Sequence, residues 1–436
     1  MVPETVFAAD LPLLPDVGYY SAWSTLYDFV AAGYHVDQPC VNATAQQQFM
    51  IPHPVAPSSR RTPVASLLLL FVGLRVGLAM WMWLVVQRVP MPLWPDDKLR
   101  PYYGVAVEQN QILAPWQRWD TLHYQAIAER GYAAFDTALF VPPLFPGLMR
   151  LGSVPLGGST LLAGLVFSSA AALLLLFALY RLSRFELGDA PAAWRAVLYL
   201  ALFPSAFFLF AAYTESIFLL AAVMMLWHLR RTEWVRAGAW AALASLSRLP
   251  GALVLIPLAW EALRSMAGTR KVHPLLGVAV GAAGALAFPL YIWARLGLAP
   301  WTPLLVQAER FGGGFTFPGV NLVQAVRNAF GGPFFITDGL DIIFLIGAIV
   351  MVVPVWRKLP RVYGVYYATY LALFVTRTGG TEPLVGMVRY VLALFPACII
   401  LGAWGAKRWV NRVVVYVGLS GVLFMSASFA LWLWMG

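Results

Sequence analysis

Asp120, His123 and Tyr124 fall in one run, RWDTLHYQAIAERGY, from Arg118 to Tyr132. Residues three and four apart are neighbours on a helix, so helical spacing from Asp120 stacks His123 and Tyr124 on the same face. A carboxylate and an imidazole on one patch are groups that take up and release protons. An apolar, proline-bearing run, LFVPPLFP, follows at Leu139 to Pro146. The same residues also read as a plain boundary: Asp120 caps a short amphipathic helix that ends at Gly131. As a lone metal ligand His123 is weak, because no second histidine or acid cluster accompanies it.

The elements that must position these groups are set by composition. Of 436 residues, 60% are hydrophobic and 11% charged, and the mean hydropathy is +0.71. A soluble domain of this length is not so apolar, and several runs reach the length needed to cross a bilayer. The chain reads as a multi-spanning membrane protein. Its net charge of +10 would suggest nucleic acid in a soluble protein; here basic cytoplasmic loops account for it, and no nucleic-acid partner is expected. The two cysteines, Cys40 and Cys398, form no disulfide framework or zinc pattern.

Residues 1–63 are mixed in composition, with acids ahead of the apolar residues and no basic leader before a hydrophobic core, unlike a signal peptide. They read as a poorly ordered cytoplasmic extension, or as lying upstream of a start at Met50. Residues 64–436 read as the transmembrane domain. Apolar runs place spans at 64–88, 159–181, 195–212, 214–229, 236–249, 250–264, 274–295, 339–356, 361–377, 384–405 and 411–435, about eleven in all. The fifth and sixth also read as one helix broken at Pro250 and Gly251.

Charge supports the count. With the N-terminus inside, the inner connections carry Arg60 and Arg61, then Arg181, Arg184 and Arg195, then Arg230, Arg231 and Arg236, then Arg264, Arg270 and Lys271, then Arg357, Lys358 and Arg361, then Lys407, Arg408 and Arg412. Every second loop is basic, as the positive-inside rule requires. A full span at Thr137 to Arg150 would invert everything after it, so that segment reads as re-entrant or surface-lying.

The long loops 89–158 and 296–338 then face outward, with the turns that hold Glu215, Arg248, Arg377 and Glu382, and Arg389 about one turn into the next span. An ionisable group at mid-helix costs roughly 2.5 to 3.5 kcal/mol on insertion scales, so such groups face a cavity or a partner. One outer polar site explains them together. Taken singly, each also reads as a structural ion pair or an interfacial arginine. Arg75, in the middle of the first span, is expected to pair inside the bundle.

Four separated motifs carry a resemblance: RWDTLHYQAIAERGY with LFVPPLFP, AYTESIFLL from Ala212, SLSRLPG from Ser245 and VRYVLALFP from Val388. Together they resemble, in order, the bacterial branch of the PIG-V-like family, the GPI second mannosyltransferases. The resemblance implies a GT-C-like fold, an all-α polytopic bundle with re-entrant or amphipathic helices in its first outer loop. It implies a glycosyltransferase that uses a lipid-phosphate sugar, with the essential acid at Asp120. It places supporting roles on Tyr213, Glu215, Arg248 and Arg389, with Tyr390 in the last motif.

The chemistry fits these residue types. Moving a sugar from a polyprenyl phosphate to the hydroxyl of a lipid or glycan acceptor needs a base for the acceptor proton and a positive site for the departing phosphate. Asp120 serves as the base, which gives inversion at the anomeric carbon. Arginine offers a permanently charged planar fork for phosphate oxygens, so Arg248 and Arg389 are the candidates, with Arg377 behind them. No metal or other cofactor is then required. His123 is placed to hydrogen-bond Asp120 or the sugar, and Trp116, Trp119 and Tyr124 suit sugar stacking or anchoring among membrane lipids. The alternative, a lipid or solute transporter or flippase, predicts internal repeats and charges near the bilayer midplane, neither of which stands out.

The topology is testable directly. In bacterial cells, an impermeant thiol reagent added outside is expected to label a cysteine placed at position 120 and not one at position 358. The reverse pattern would invert the orientation.

Overall fold

The structure, a computed structural model, describes residues 63–90, 94–136, 138–311, 313–331, 336–379 and 382–433. Residues 1–62, where the N-terminal extension is expected, lie outside the described residues.

Helix α1, Val64–Arg88, is an unbroken apolar run of 25 residues, about 37 Å long and sufficient for a ~30 Å hydrocarbon core. The first long loop follows with α2 (Trp94–Tyr103), α3 (Asp120–Arg130) and α4 (Leu144–Ser153). At 10 residues α4 is roughly 15 Å long, too short to cross. Helix α5, Thr160–Leu187, begins at Ser159, whose hydroxyl accepts the Leu162 N–H at 3.1 Å. It ends at Gly188 in the left-handed region, the usual helix stop. Asp189 then caps α6 (Ala190–Ala201) by accepting the Ala192 N–H at 3.1 Å.

Three breaks interrupt what hydropathy reads as continuous spans. After α6, Pro204 prevents the helix from continuing. A buried 3-10 turn, Ala206–Leu209, leads to α7 (Glu215–Arg230). Helix α8 (Trp234–Ser247) ends at Arg248, which is extended, and a second 3-10 turn, Leu249–Val254, precedes α9 (Leu255–Thr269). There the chain folds back on α8 so tightly that a Cβ on Gly251 would lie 1.9 Å from the Ala244 carbonyl oxygen. Helix α10 (Pro274–Leu296) leads into the second long loop, with α11 (Thr302–Phe311), strand β1 (Gly314–Phe315) and α12 (Val320–Gly331). Helices α13 (Ile336–Lys358) and α14 (Arg361–Thr376) follow. The third break comes next: strand β2 (Arg377–Thr378) pairs antiparallel with β1, and the chain re-enters as two short helices, α15 (Met387–Val391) and α16 (Pro396–Trp404). Helix α17, Arg408–Ala430, packs against α1.

The fold is the expected all-α polytopic bundle, with one two-residue β pair among the described residues. By length and composition, six helices among the described residues suffice to cross a membrane: α1, α5, Leu249–Gly268, α10, Asp338–Lys358 and α17. The expected spans at 195–212 and 384–405 are broken, and those at 214–229, 236–249 and 361–377 are helices of 14 to 16 residues. The bundle has two unlike ends. At one, Arg230 pairs with Glu186 at 2.7 Å and the Tyr363 hydroxyl donates to Glu186 at 2.8 Å, close to the basic loops. The first residues of α5 and α7, Thr160 and Glu215, lie at the other.

Helices α8 and α10 cross with almost no side chain between them. A Cβ on Gly238 would lie 2.1 Å from the Gly277 oxygen, and one on Gly277 2.3 Å from the Trp234 oxygen. Small residues permit such backbone approach in membranes. Gly277→Val is expected to lower the melting temperature in detergent, as overpacking costs about 1–3 kcal/mol or more. Gly347→Ala, with nothing within 4 Å of its Cβ, should leave it unchanged; equal melting of the two would refute the close crossing.

Candidate active site

The three breaks deliver their polar residues to the start of α3. Asp120 is the first residue of that helix, behind Trp119. Its Oδ2 accepts from Arg389 Nη1 at 2.8 Å. Arg389 Nε donates to Glu215 Oε1 at 2.6 Å, and Arg248 Nη1 lies 3.2 Å from the same Glu215 oxygen. Acid and base thus alternate, Asp120, Arg389, Glu215, Arg248, with formal charges that cancel. Burial is graded along the chain. Side-chain exposure is 2% for Glu215, 6% for Arg389, 15% for Arg248 and 17% for Asp120.

Two neighbouring rings, whose centres are 4.8 Å apart, pack together against the central guanidinium. Arg389 Cζ lies 4.7 Å from the centre of the Tyr213 ring and 4.8 Å from that of Phe208, within cation–π range. The Tyr213 hydroxyl accepts the Asp120 N–H at 3.1 Å and donates to the Arg118 carbonyl at 3.4 Å, so it grips the backbone on both sides of Trp119. Trp119 has φ +49°, a region that L residues avoid. Arg118 supplies a further hold: its Nε donates to the Ala430 carbonyl at 3.0 Å and its Nη1 to the Ala114 carbonyl at 2.7 Å. The Trp119 ring meets Trp432 edge-on at 5.5 Å.

His123 is buried, with Nδ1 3.7 Å from Asp120 Oδ1, beyond hydrogen-bond distance. Its Nε2 is bonded to the Tyr103 hydroxyl, and Phe135 and Phe140 flank the ring. Burial pushes its pKa down to about 4, outweighing the opposing effect of Asp120. Tyr124 is buried too, edge-on to Phe145 and Tyr213, so its ring supports the site from below. Trp116 is fully buried under Arg75, whose Cζ lies 4.7 Å from its ring; the partner that Arg75 finds in the bundle is an aromatic face.

Arg377 and Tyr390 form a flanking pair, Cζ 4.4 Å from the ring centre. Buried Asn321, on α12, fixes that strand by donating Nδ2 to the carbonyls of Phe374 at 2.8 Å and Arg377 at 2.6 Å. The structure therefore unites Asp120, Tyr213, Glu215, Arg248 and Arg389, sets Trp119, His123 and Tyr124 against them, and leaves Arg377 and Tyr390 beside them. Glu382 is exposed. Sequence reasoning passed over Arg118, Phe208 and Asn321. Adjacency to Asp120 was the signal for Arg118; the other two carry none.

Residues 95–265 match the family model described as Mannosyltransferase (PIG-V), a stretch that holds Asp120, Tyr213, Glu215 and Arg248. The resemblance to the PIG-V-like family is borne out over these residues, and with it the class of enzyme, a glycosyltransferase. No curated protein matches the chain. Among solved structures, it is similar to ArnT from Cupriavidus metallidurans bound to undecaprenyl phosphate, at 16% identity over 83% of this chain and 74% of that one, TM-score 0.46. The apo form of the same ArnT gives 15% identity, 85% and 75% coverage and TM-score 0.49. The Archaeoglobus fulgidus oligosaccharyltransferase tethered to an acceptor peptide gives 12% identity, 84% and 56% coverage and TM-score 0.39.

The buried imidazole sets a pH dependence. A folded pKa of about 4 against the ordinary 6.5 means that the unfolded chain binds the extra proton first. The contribution of neutral His123 is complete above pH 6.5 and is lost as pH falls towards 4, on the order of 3 kcal/mol. Thermal melts across that range should show a steeper acid loss for the wild type than for His123→Gln. Parallel curves would refute the assignment.

Proposed function

We propose that the chain moves a sugar, mannose by its family likeness, from a polyprenyl-phosphate donor to a hydroxyl of a lipid or glycan acceptor, on the outer face of the membrane and with inversion. The observation that carries this reading is a partly exposed carboxylate, Asp120, at the end of a buried chain of alternating charges that includes two guanidiniums. Arg389 holds Asp120 Oδ2, which leaves Oδ1 to take the acceptor proton. The acceptor oxygen then bonds to the anomeric carbon as the bond from that carbon to the phosphate oxygen breaks, and the phosphate leaves with the electron pair.

Arg389 has Nε and Nη1 committed to the two carboxylates, whereas Arg248 makes one ion-pair contact, through Nη1, and retains partial exposure. Arg248 is therefore the better phosphate ligand of the two, and Arg389 the group that orients the base. The outward orientation rests on the two ends of the bundle: the basic loops gather at one, the site lies at the other, and basic loops favour the cytoplasm. Donor selection by Arg377 and Tyr390, beside Arg389, belongs to the same reading.

The test is incubation of the purified protein with radiolabelled polyprenyl-phosphate mannose and a membrane lipid extract. Label is expected to move into an acceptor. Asp120→Asn, which keeps shape and folding, should cut transfer about a hundredfold or more, and Arg248→Ala should weaken donor use. Full turnover by Asp120→Asn would remove the base assignment.

A further inference from the structure

Asp341 lies in the α13 span with its residue 8% exposed. A carboxylate in such a place carries a large desolvation cost and needs specific partners. Its Oδ1 accepts the Val388 N–H at 2.9 Å. That residue is held on its other side as well, because Ser205 Oγ, from the break between α6 and α7, donates to the Val388 carbonyl at 3.0 Å. Both backbone groups of Val388 are thus fixed by buried side chains from distant elements, and the next residue is Arg389.

The local backbone needs that support. Helix α15 has only five residues, starts after Gly386 at φ +75° and ends at Leu392. So short a helix leaves most of its amides and carbonyls without partners of its own. Within it, Arg389 N donates to the Gly386 oxygen at 3.0 Å and Met387 N to the Leu384 oxygen at 2.9 Å. The Val388 amide has no such turn bond and is taken by Asp341 instead. An isolated turn would rotate freely enough to carry Arg389 off both carboxylates, since the guanidinium reaches Asp120 at 2.8 Å and Glu215 at 2.6 Å only in one orientation.

We infer that Asp341 is a positioning residue for the transfer reaction: it clamps the first turn of α15 so that Arg389 meets Asp120 and Glu215 together. It touches no substrate, and its effect passes through Arg389 to the orientation of the base. The inference rests on the reaction proposed above.

The test compares Asp341→Leu, which loses the acceptor, with Asp341→Asn, which keeps an oxygen at the same place, both in the full chain. In Asp341→Leu, hydrogen exchange at the amides of 387–389 should accelerate about tenfold while that of α5 is unchanged. Turnover at saturating polyprenyl-phosphate mannose should fall about tenfold or more with donor KM little changed, the pattern of a misplaced catalytic group. Asp341→Asn should restore most of both. Unchanged exchange would overturn the clamp, and faster exchange with wild-type turnover would reduce Asp341 to a structural cap. If Asp341→Leu does not insert, Ser205→Ala, which frees the carbonyl of the same residue, carries the same comparison. A wild type without any transfer fails the proposed reaction, and the exchange arm then decides the clamp by itself.

Discussion

One guanidinium between two carboxylates organises this molecule. Arg389 draws Asp120 and Glu215, which lie 269 and 174 positions away in sequence, onto one buried point. Charges taken out of water are costly, and removing one partner from a buried pair costs about 3–5 kcal/mol because the others are left uncompensated. The alternation from Asp120 to Arg248 answers that cost by giving every charge an opposite neighbour. The adjoining rings of Tyr213 and Phe208 pack against the guanidinium where the carboxylates do not.

The broken helices follow from that constraint. A continuous span satisfies its own backbone but directs its side chains sideways, whereas the charged groups here sit at helix ends. Arg248 is at the end of α8, Glu215 at the start of α7, and Arg389 in a helix of five residues. The irregular backbone between these ends is admissible at membrane depth because it is buried in protein and partnered. Tyr370 donates to the Pro250 carbonyl at 3.0 Å, Ser205 to Val388, Asn321 to Phe374 and Arg377, and Tyr213 to Arg118. Side chains thus replace the bonds that helix would have made, and the replacements hold the backbone at or close to Arg118, Arg248, Arg377 and Arg389.

This division explains what could be read from sequence. Hydropathy marks α1, α5, α10 and α17 because each is one long apolar run, and the polar residues of the motifs stand out against that background. It does not mark the breaks at Pro204 or at 392–395, because the residues there are as apolar as those of the helices and a window average passes over them; the break after Arg248 is legible because Pro250 and Gly251 punctuate the run. The 3.6 period correctly puts Asp120 and His123 on one side of α3, but spacing does not report that the imidazole is buried among Phe135 and Phe140 at 3.7 Å from the acid. Tyr124 and Trp116 look like surface rings for the same reason. Their burial depends on α4 and α1, which pack over them from elsewhere in the chain.

The net charge of the chain belongs to the end opposite the site. There Arg231 and Arg236 are 49% and 71% exposed and share Glu233, in pairings that contribute little to stability and leave the positive field open to the membrane surface. At the site the same residue type is buried and balanced. On the proposed reaction that balance is what makes proton transfer useful. The donor phosphate gains a charge when its bond to the sugar breaks, at the moment when Asp120 loses its own by accepting the proton. Charge is therefore exchanged within the site and not added to it. As Asp120 is neutralised, Arg389 keeps Glu215 at 2.6 Å, so the guanidinium that orients the base stays in place while Arg248, the more exposed of the two, meets the new anion.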